Sequence, residues 1–133
     1  MKSKYHTKSH CKYLLKYHLI FVVKYRHKLL TVVGEDVKKI FKQISEDYQF
    51  HIDVMEVDKD HIHLLIELSP NQKPSEIASK LKSISTIWLW KNRGQIIVKK
   101  LWGTKKFWSS GYFICTTGDA CTATIQEYIK NQG

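Results

Sequence analysis

The segment HIHLLIEL (61–68) alternates apolar residues with others almost without a break. A period of two fits an extended strand, with Ile62, Leu64, Ile66 and Leu68 on one face and His61, His63, Leu65 and Glu67 on the other. The apolar face has to meet a core, so two imidazoles project side by side from the opposite face of a sheet. Immediately upstream, Asp58-Lys59-Asp60 suits a tight hairpin turn. The preceding FHIDVMEV (50–57) then reads as the partner strand.

The other elements follow from composition and spacing. CKYLLKYHLIFVVKYR (11–26), rich in Tyr, Leu, Ile, Phe and Val, predicts one long strand. From about Glu35 to Gln49, Val37, Ile40, Phe41, Ile44 and Tyr48 recur at helical spacing between charged residues. Pro74-Ser75-Glu76 opens a second helix with a stripe of Ile77, Leu81, Ile84 and Trp88, expected to end near Asn92-Arg93-Gly94, where glycine suits a C-cap. Residues 95–108 show no clear period, and FWSSGYFICTT (107–117) contains a further strand. Gly118-Asp119 starts a last helix, with Asp119 as N-cap, running to about Gln132. The order β-α-β-β-α-β-α predicts a single α+β domain over residues 1–133. Its expected form is a ferredoxin-like or RRM-like antiparallel sheet with helices on one face, plus a C-terminal helix.

Charge narrows the partner. The net charge is +10, and residues 1–34 and 77–118 each hold eight Lys or Arg and no acid. Segregated positive charge interleaved with Trp and Tyr favours a polyanion, because binding phosphates releases their counterions. No stretch approaches a membrane span, and the first residues lack the apolar core of a secretory signal. Three cysteines without CxxC spacing argue against a disulfide framework or a cysteine zinc site. A reducing cytoplasm is the expected setting.

Two candidate sites carry chemistry. His61 and His63 can grip one ion from a rigid strand, although the tripeptide alone is better read as two solvent-facing histidines. A histidine-triad hydrolase would need a third alternating histidine, and position 65 is leucine. Tyr128 shares a helix face with Gln132, one turn later. Taken alone, it reads as a packing residue beside Ile125 and Ile129.

Together these motifs resemble the single-tyrosine HUH transposases of small bacterial and archaeal insertion sequences (the insertion-sequence 200/605-like group), named for a His, bulky apolar, His tripeptide. The resemblance covers nearly the whole chain. YHLIFVVKYRHKLL (17–30) is similar to the family's first strand and its exit, and DKDHIHLL (58–65) to its hairpin and metal strand. Lys80-Leu81-Lys82-Ser83 resembles its lysine-bearing helix. Phe107-Trp108, Tyr112-Phe113 and Thr117-Gly118 resemble its last strand, and Tyr128-Ile129-Lys130-Asn131-Gln132 its nucleophile helix. Val23 departs from the proline usual at that point in the family, and many relatives continue past the position of Gly133.

The resemblance implies a DNA transposase in which Tyr128 is the nucleophile and His61, His63 and Gln132 hold a divalent metal, Mg²⁺ or Mn²⁺ by ligand chemistry. It implies cleavage and rejoining of single-stranded DNA at element ends through a 5′-phosphotyrosine, with recognition of subterminal hairpins. It also implies a homodimer whose tyrosine helix can serve the partner's histidine pair. Lys12, Lys16, Arg26, Lys80, Lys82, Lys105 and Lys106 are the expected DNA contacts. The expected setting is the cytoplasm of a bacterial or archaeal cell, close to the nucleoid, with no membrane partner. Two relatives share this chemistry and stay open: a domesticated repeat-associated tyrosine transposase and a rolling-circle replication initiator. A non-catalytic RRM-like nucleic-acid module is the alternative of another class.

Overall fold

The computed structural model describes residues 6–8, 11–13, 15–116 and 119–131, with side chains described over 15–116 and 124–130. A small hairpin, β1 (His6–Lys8) with β2 (Cys11–Tyr13), precedes the main body. The main sheet holds β3 (Leu15–Val22), β4 (His51–Val57), β5 (His61–Leu68) and β6 (Phe113–Thr116), in the antiparallel order β4-β5-β3-β6. With α1 (Leu30–Asp47) and α2 (Pro74–Leu101) interleaved, this is the ferredoxin-like arrangement that the element order predicts.

Burial explains why the two central strands read as they do. Leu19, Phe21 and Val23 of the first strand and its exit join Ile62, Leu64, Ile66 and Leu68 in the core under α1 and α2. The opposite parity of β3, Ile20 and Val22, is equally buried, against Ile125 of α3 (Asp119–Asn131). A strand covered on both faces is apolar throughout, hence the unbroken LIFVV. At Gly34 of α1, an added Cβ would stand 3.0 Å from Val57 Cγ1, so the lack of a side chain lets α1 lie close on β4.

Several boundaries differ from the sequence reading. The expected strand 11–26 is divided: β2 pairs with β1, whereas β3 pairs with β5 and β6. Apolar content runs through both and does not mark a change of partner. The chain then turns sharply over Lys24–Arg26, where Tyr25 and Arg26 take left-handed φ values of 58° and 52°. The first helix starts at Leu30 rather than Glu35. The second continues past Gly94 to Leu101, with one non-helical residue, Arg93, at φ −131°. Buried Ile97 and Leu101 hold that extension to the core and outweigh the local glycine signal. Asp119, expected as an N-cap, is the first residue of α3. Cys115 is disulfide-bonded to a cysteine whose side chain lies outside the described residues. This corrects the expectation drawn from cysteine spacing, since a single bridge needs only two thiols within reach. Among the described residues no helix is long and apolar enough to cross a membrane.

Trp108 anchors the return to β6. It bridges Val23, packs on Phe21 and Phe41, and donates its indole N–H to Ser85 Oγ at 3.0 Å. Ser85 is fully buried and Trp108 is 3% exposed, so no water can replace this bond. Ser85→Ala should therefore cost about 1–3 kcal/mol in urea denaturation, from a stranded indole N–H; an unchanged midpoint would contradict this.

Candidate active site

The face of the sheet opposite α1 and α2 carries the candidate chemistry, and strand register fixes who stands beside whom. His61 lies opposite Val22, His63 opposite Ile20, and Leu65 opposite His18. On the other side, His63 pairs with Glu56. Directly opposed residues share a face, so this face displays His61 and His63 beside the apolar patch of Ile20 and Val22 on which α3 packs.

Each expected histidine is oriented by a carboxylate. His61 Nδ1 lies 3.0 Å from Asp60 Oδ1, and His63 Nδ1 lies 3.2 Å from Glu56 Oε1. A carboxylate accepts only, so each Nδ1 carries a proton, and in a neutral ring the lone pair is left on Nε2. Such outer carboxylates are the usual support of metal-binding imidazoles. Two imidazole nitrogens are donors of the type that a divalent transition-metal cation takes. Gln132, the expected third ligand, lies outside the described residues. Among those described, no cluster of three or more His, Cys, Asp or Glu forms a metal site.

Tyr128 sits on α3, half-buried against the same sheet face, its ring 5.2 Å from that of Phe113 and packed on the Ile20–Val22–Ile125 cluster. Burial pushes its phenol above the ordinary tyrosine range. A phenol held protonated in this way is a weak nucleophile unless a partner takes the proton or stabilises the anion.

Arg26 joins the two halves of the site. Its Nε donates to Asp60 Oδ2 at 3.0 Å, and its Nη1 donates to the Ile129 carbonyl at 2.9 Å. Asp60 thereby contacts His61 and Arg26 together. Burial raises its carboxyl pKa, but the hydrogen bonds and charge of His61 and Arg26 outweigh that and hold it below the usual range. The left-handed backbone at Tyr25 and Arg26 costs about 1–3 kcal/mol per residue. It is fixed by Arg26 N–H donating to Val23 O (2.8 Å) and Lys24 N–H donating to Phe107 O (2.9 Å).

The other expected DNA contacts separate by environment. The Lys12 side chain lies outside the described residues. Lys16 pairs with Asp53 at 2.7 Å and approaches Glu67 at 3.9 Å; the Asp53 hydrogen bond raises its pKa against the opposing effect of burial. Lys82 donates to the carbonyls of Ser109 (2.8 Å) and Ser110 (3.0 Å), and burial, then Lys106, lowers its pKa. Lys80, over the Tyr48 ring, is exposed, as are Lys105 and Lys106. Sequence reading missed a basic cleft of about 490 Å³ lined by Arg26, His27, Lys28, Lys99 and Lys100. Only the unforeseen last turns of α2 bring Lys99 and Lys100 there. It also missed His18, whose Nδ1 lies 2.8 Å from His63 Nε2. Burial, then proximity to His63, lowers the His18 pKa.

Residues 11–132 match the model of the family described as transposase IS200-like. The chain is 36% identical over 121 residues to the ISDra2 transposase TnpA of Deinococcus radiodurans, spanning 90% of this chain and 85% of that protein. It is 35% identical over 134 residues to the transposase for insertion sequence element IS200 of Salmonella typhimurium, spanning 98% and 82%. The fold superposes on the crystal structure of a Deinococcus radiodurans transposase with a TM-score of 0.86, at 29% identity over 96% and 97% of the two chains. A REP-associated tyrosine transposase bound to a REP hairpin shares the fold alone, with a TM-score of 0.55 and 13% identity over 93% and 74%.

The geometry gives Arg26 a structural task distinct from DNA contact. Arg26→Ala should speed amide hydrogen exchange across α3 in the DNA-free protein, because it removes the tie to Ile129. Unchanged exchange there would refute that role.

Proposed function

This chain belongs to the IS200-like transposase family, and we propose that it cuts and rejoins single-stranded DNA with Tyr128 as nucleophile and His61, His63 and Gln132 as the holders of a divalent cation. The observation that carries this reading is the shared face: α3 seats Tyr128 on the sheet surface from which both carboxylate-oriented imidazoles project. The family makes the protein a DNA-cleaving and strand-transferring enzyme; the residue roles are the proposal.

A phosphodiester resists nucleophiles because its anionic oxygens repel them, and a bound Mg²⁺ or Mn²⁺ would withdraw that charge and help orient the scissile phosphate. Asp60 and Glu56 hold the two rings by their Nδ1 atoms, which reserves the Nε2 atoms for the cation. Arg26 holds α3 to the Asp60 side of the site. In the proposed cleavage, Tyr128 Oη attacks phosphorus and the bond to the 3′ oxygen breaks. The phenol proton passes to solvent, and the 3′ oxygen leaves as a hydroxyl after taking up a proton. The product is a 5′-phosphotyrosine. A 3′-OH from another strand end then attacks that phosphorus, expels Tyr128 and reseals the backbone. One phosphodiester replaces another by way of the tyrosyl ester, so no ATP is needed.

The DNA partner follows from charge and from the REP hairpin held by the structural neighbour. The basic cleft shares Arg26 with the Asp60–His61 pair. A strand seated on Lys28, Lys99 and Lys100 would thus run towards the histidines, its phosphates matched to lysine. A homodimer, with the tyrosine helix acting in cis or in trans, completes the proposal. Its setting is the cytoplasm of a bacterium or archaeon. The RRM-like alternative expects exposed aromatic pairs on the central strands, whereas the open face of β5 presents His61, His63, Leu65 and a buried Glu67.

Incubation with labelled single-stranded DNA and Mn²⁺, followed by denaturing electrophoresis, tests the chemistry. A covalent adduct should form in the wild type and vanish in Tyr128→Phe. His61→Ala and His63→Ala should still shift hairpin DNA in a native gel while cleaving at least about a hundredfold more slowly. An adduct that persists in Tyr128→Phe would refute the nucleophile.

A further inference from the structure

A third imidazole, His18, reaches the histidine face from β3. Its ring lies nearly parallel to that of His63, with planes 17° apart and centroids 5.0 Å apart. Its Nδ1 is 2.8 Å from His63 Nε2. Glu56 orients His63: a carboxylate can only accept, so His63 Nδ1 carries a proton, and in the neutral ring the free lone pair is then on Nε2. A contact this short needs one proton between the two nitrogens. With His63 neutral, the form in which it can bind a cation, that proton belongs to His18 Nδ1.

The lone pair that His18 occupies is the one a cation would use. Position argues against His18 as a simple extra ligand. It stands opposite Leu65, whereas His61 stands opposite Val22, with Ile20 and His63 between. His18 therefore lies beyond His63, on the side away from His61. An ion shared by His18 and His63 would be drawn off the His61–His63 pair.

We propose that His18 is a latch on His63: in the metal-free protein its Nδ1–H caps the His63 Nε2 lone pair, and metal binding requires this hydrogen bond to break. The inference rests on the proposed metal role of His61 and His63. The latch makes His18 a positioning residue that lowers metal affinity and keeps His63 from offering a lone pair to stray cations. Releasing it costs one neutral hydrogen bond, equivalent to about a twofold to tenfold change in an equilibrium constant. Rotation of His18 about its side-chain bonds would suffice, with no movement of the sheet.

Two measurements on the full chain without DNA test this. Mn²⁺ titration followed by the electron paramagnetic resonance of the free ion compares wild type, His18→Phe and His61→Ala. His18→Phe keeps an aromatic ring but lacks the donor, and should bind Mn²⁺ about twofold to tenfold more tightly; His61→Ala should bind far more weakly. Equal affinity in wild type and His18→Phe would overturn the latch, and weaker binding would overturn it in favour of a ligand role. Wild-type affinity in His61→Ala would instead overturn the metal site, and the latch with it. The second measurement needs no substitution. In wild-type protein carrying ¹⁵N-histidine, a through-hydrogen-bond N–N coupling should link His18 Nδ1 to His63 Nε2 and vanish when Mg²⁺ is added. Absence of that coupling in metal-free protein, or its survival in saturating Mg²⁺, would refute the proposal.

Discussion

The Arg26 guanidinium ties together parts that the sequence keeps a hundred residues apart. One edge meets Asp60, which in turn orients His61; another meets the carbonyl of Ile129, next to Tyr128. The imidazole, the hairpin turn, the exit of the first sheet strand and the tyrosine helix are thereby linked through one planar cation. An arginine suits this place because its fork addresses several acceptors at once with a fixed geometry. The cost is a left-handed backbone at Tyr25 and Arg26, strain of a kind that collects where a side chain has to be aimed.

Much of this is legible in the sequence, for reasons that differ by element. The alternation of 61–68 defines both faces of β5, because burial on one face enforces a period of two. The helical spacing of Val37, Ile40, Phe41 and Ile44 identifies α1, though not its start at Leu30. The turn at 58–60 joins the two strands as a hairpin, but the pairing of Glu56 with His63 is set by a register centred between Lys59 and Asp60, which the turn residues alone do not give. His18 is harder to find. Its parity with Ile20 and Val22 is visible in LKYHLIFV, but its place beside His63 depends on the register between β3 and β5, which are more than forty residues apart. Sequence alone directs the search for a third histidine to position 65 of the same strand, whereas the neighbouring strand supplies it. The extension of α2 to Leu101 is hidden for a similar reason: buried Ile97 and Leu101 decide it, and local propensity at Gly94 points the other way.

Charge alone points to a polyanion but does not say which lysines meet it. Lys16, Arg26 and Lys82 each direct their charge to acceptors within the protein, so counting cations along the chain overstates the DNA surface. Lys28, Lys99 and Lys100 form a candidate phosphate track only because the last turn of α2 meets the loop before α1 in one cleft. The same distinction applies to the tryptophans: Trp108 serves the core through Ser85, whereas Trp102 is 75% exposed.

The central claim is that a tyrosine and two imidazoles on one sheet face form a single reaction centre. A crystal structure with Mn²⁺ and a single strand spanning the cleavage site, using Tyr128→Phe to halt the reaction, tests it most directly. An anomalous manganese peak is expected within bonding distance of His61 Nε2 and His63 Nε2. The substituted ring at position 128 is expected to face the scissile phosphate in line with the leaving oxygen, from the same protomer or its partner. Manganese bound elsewhere, or a phosphate that position 128 of neither protomer can approach, would contradict it.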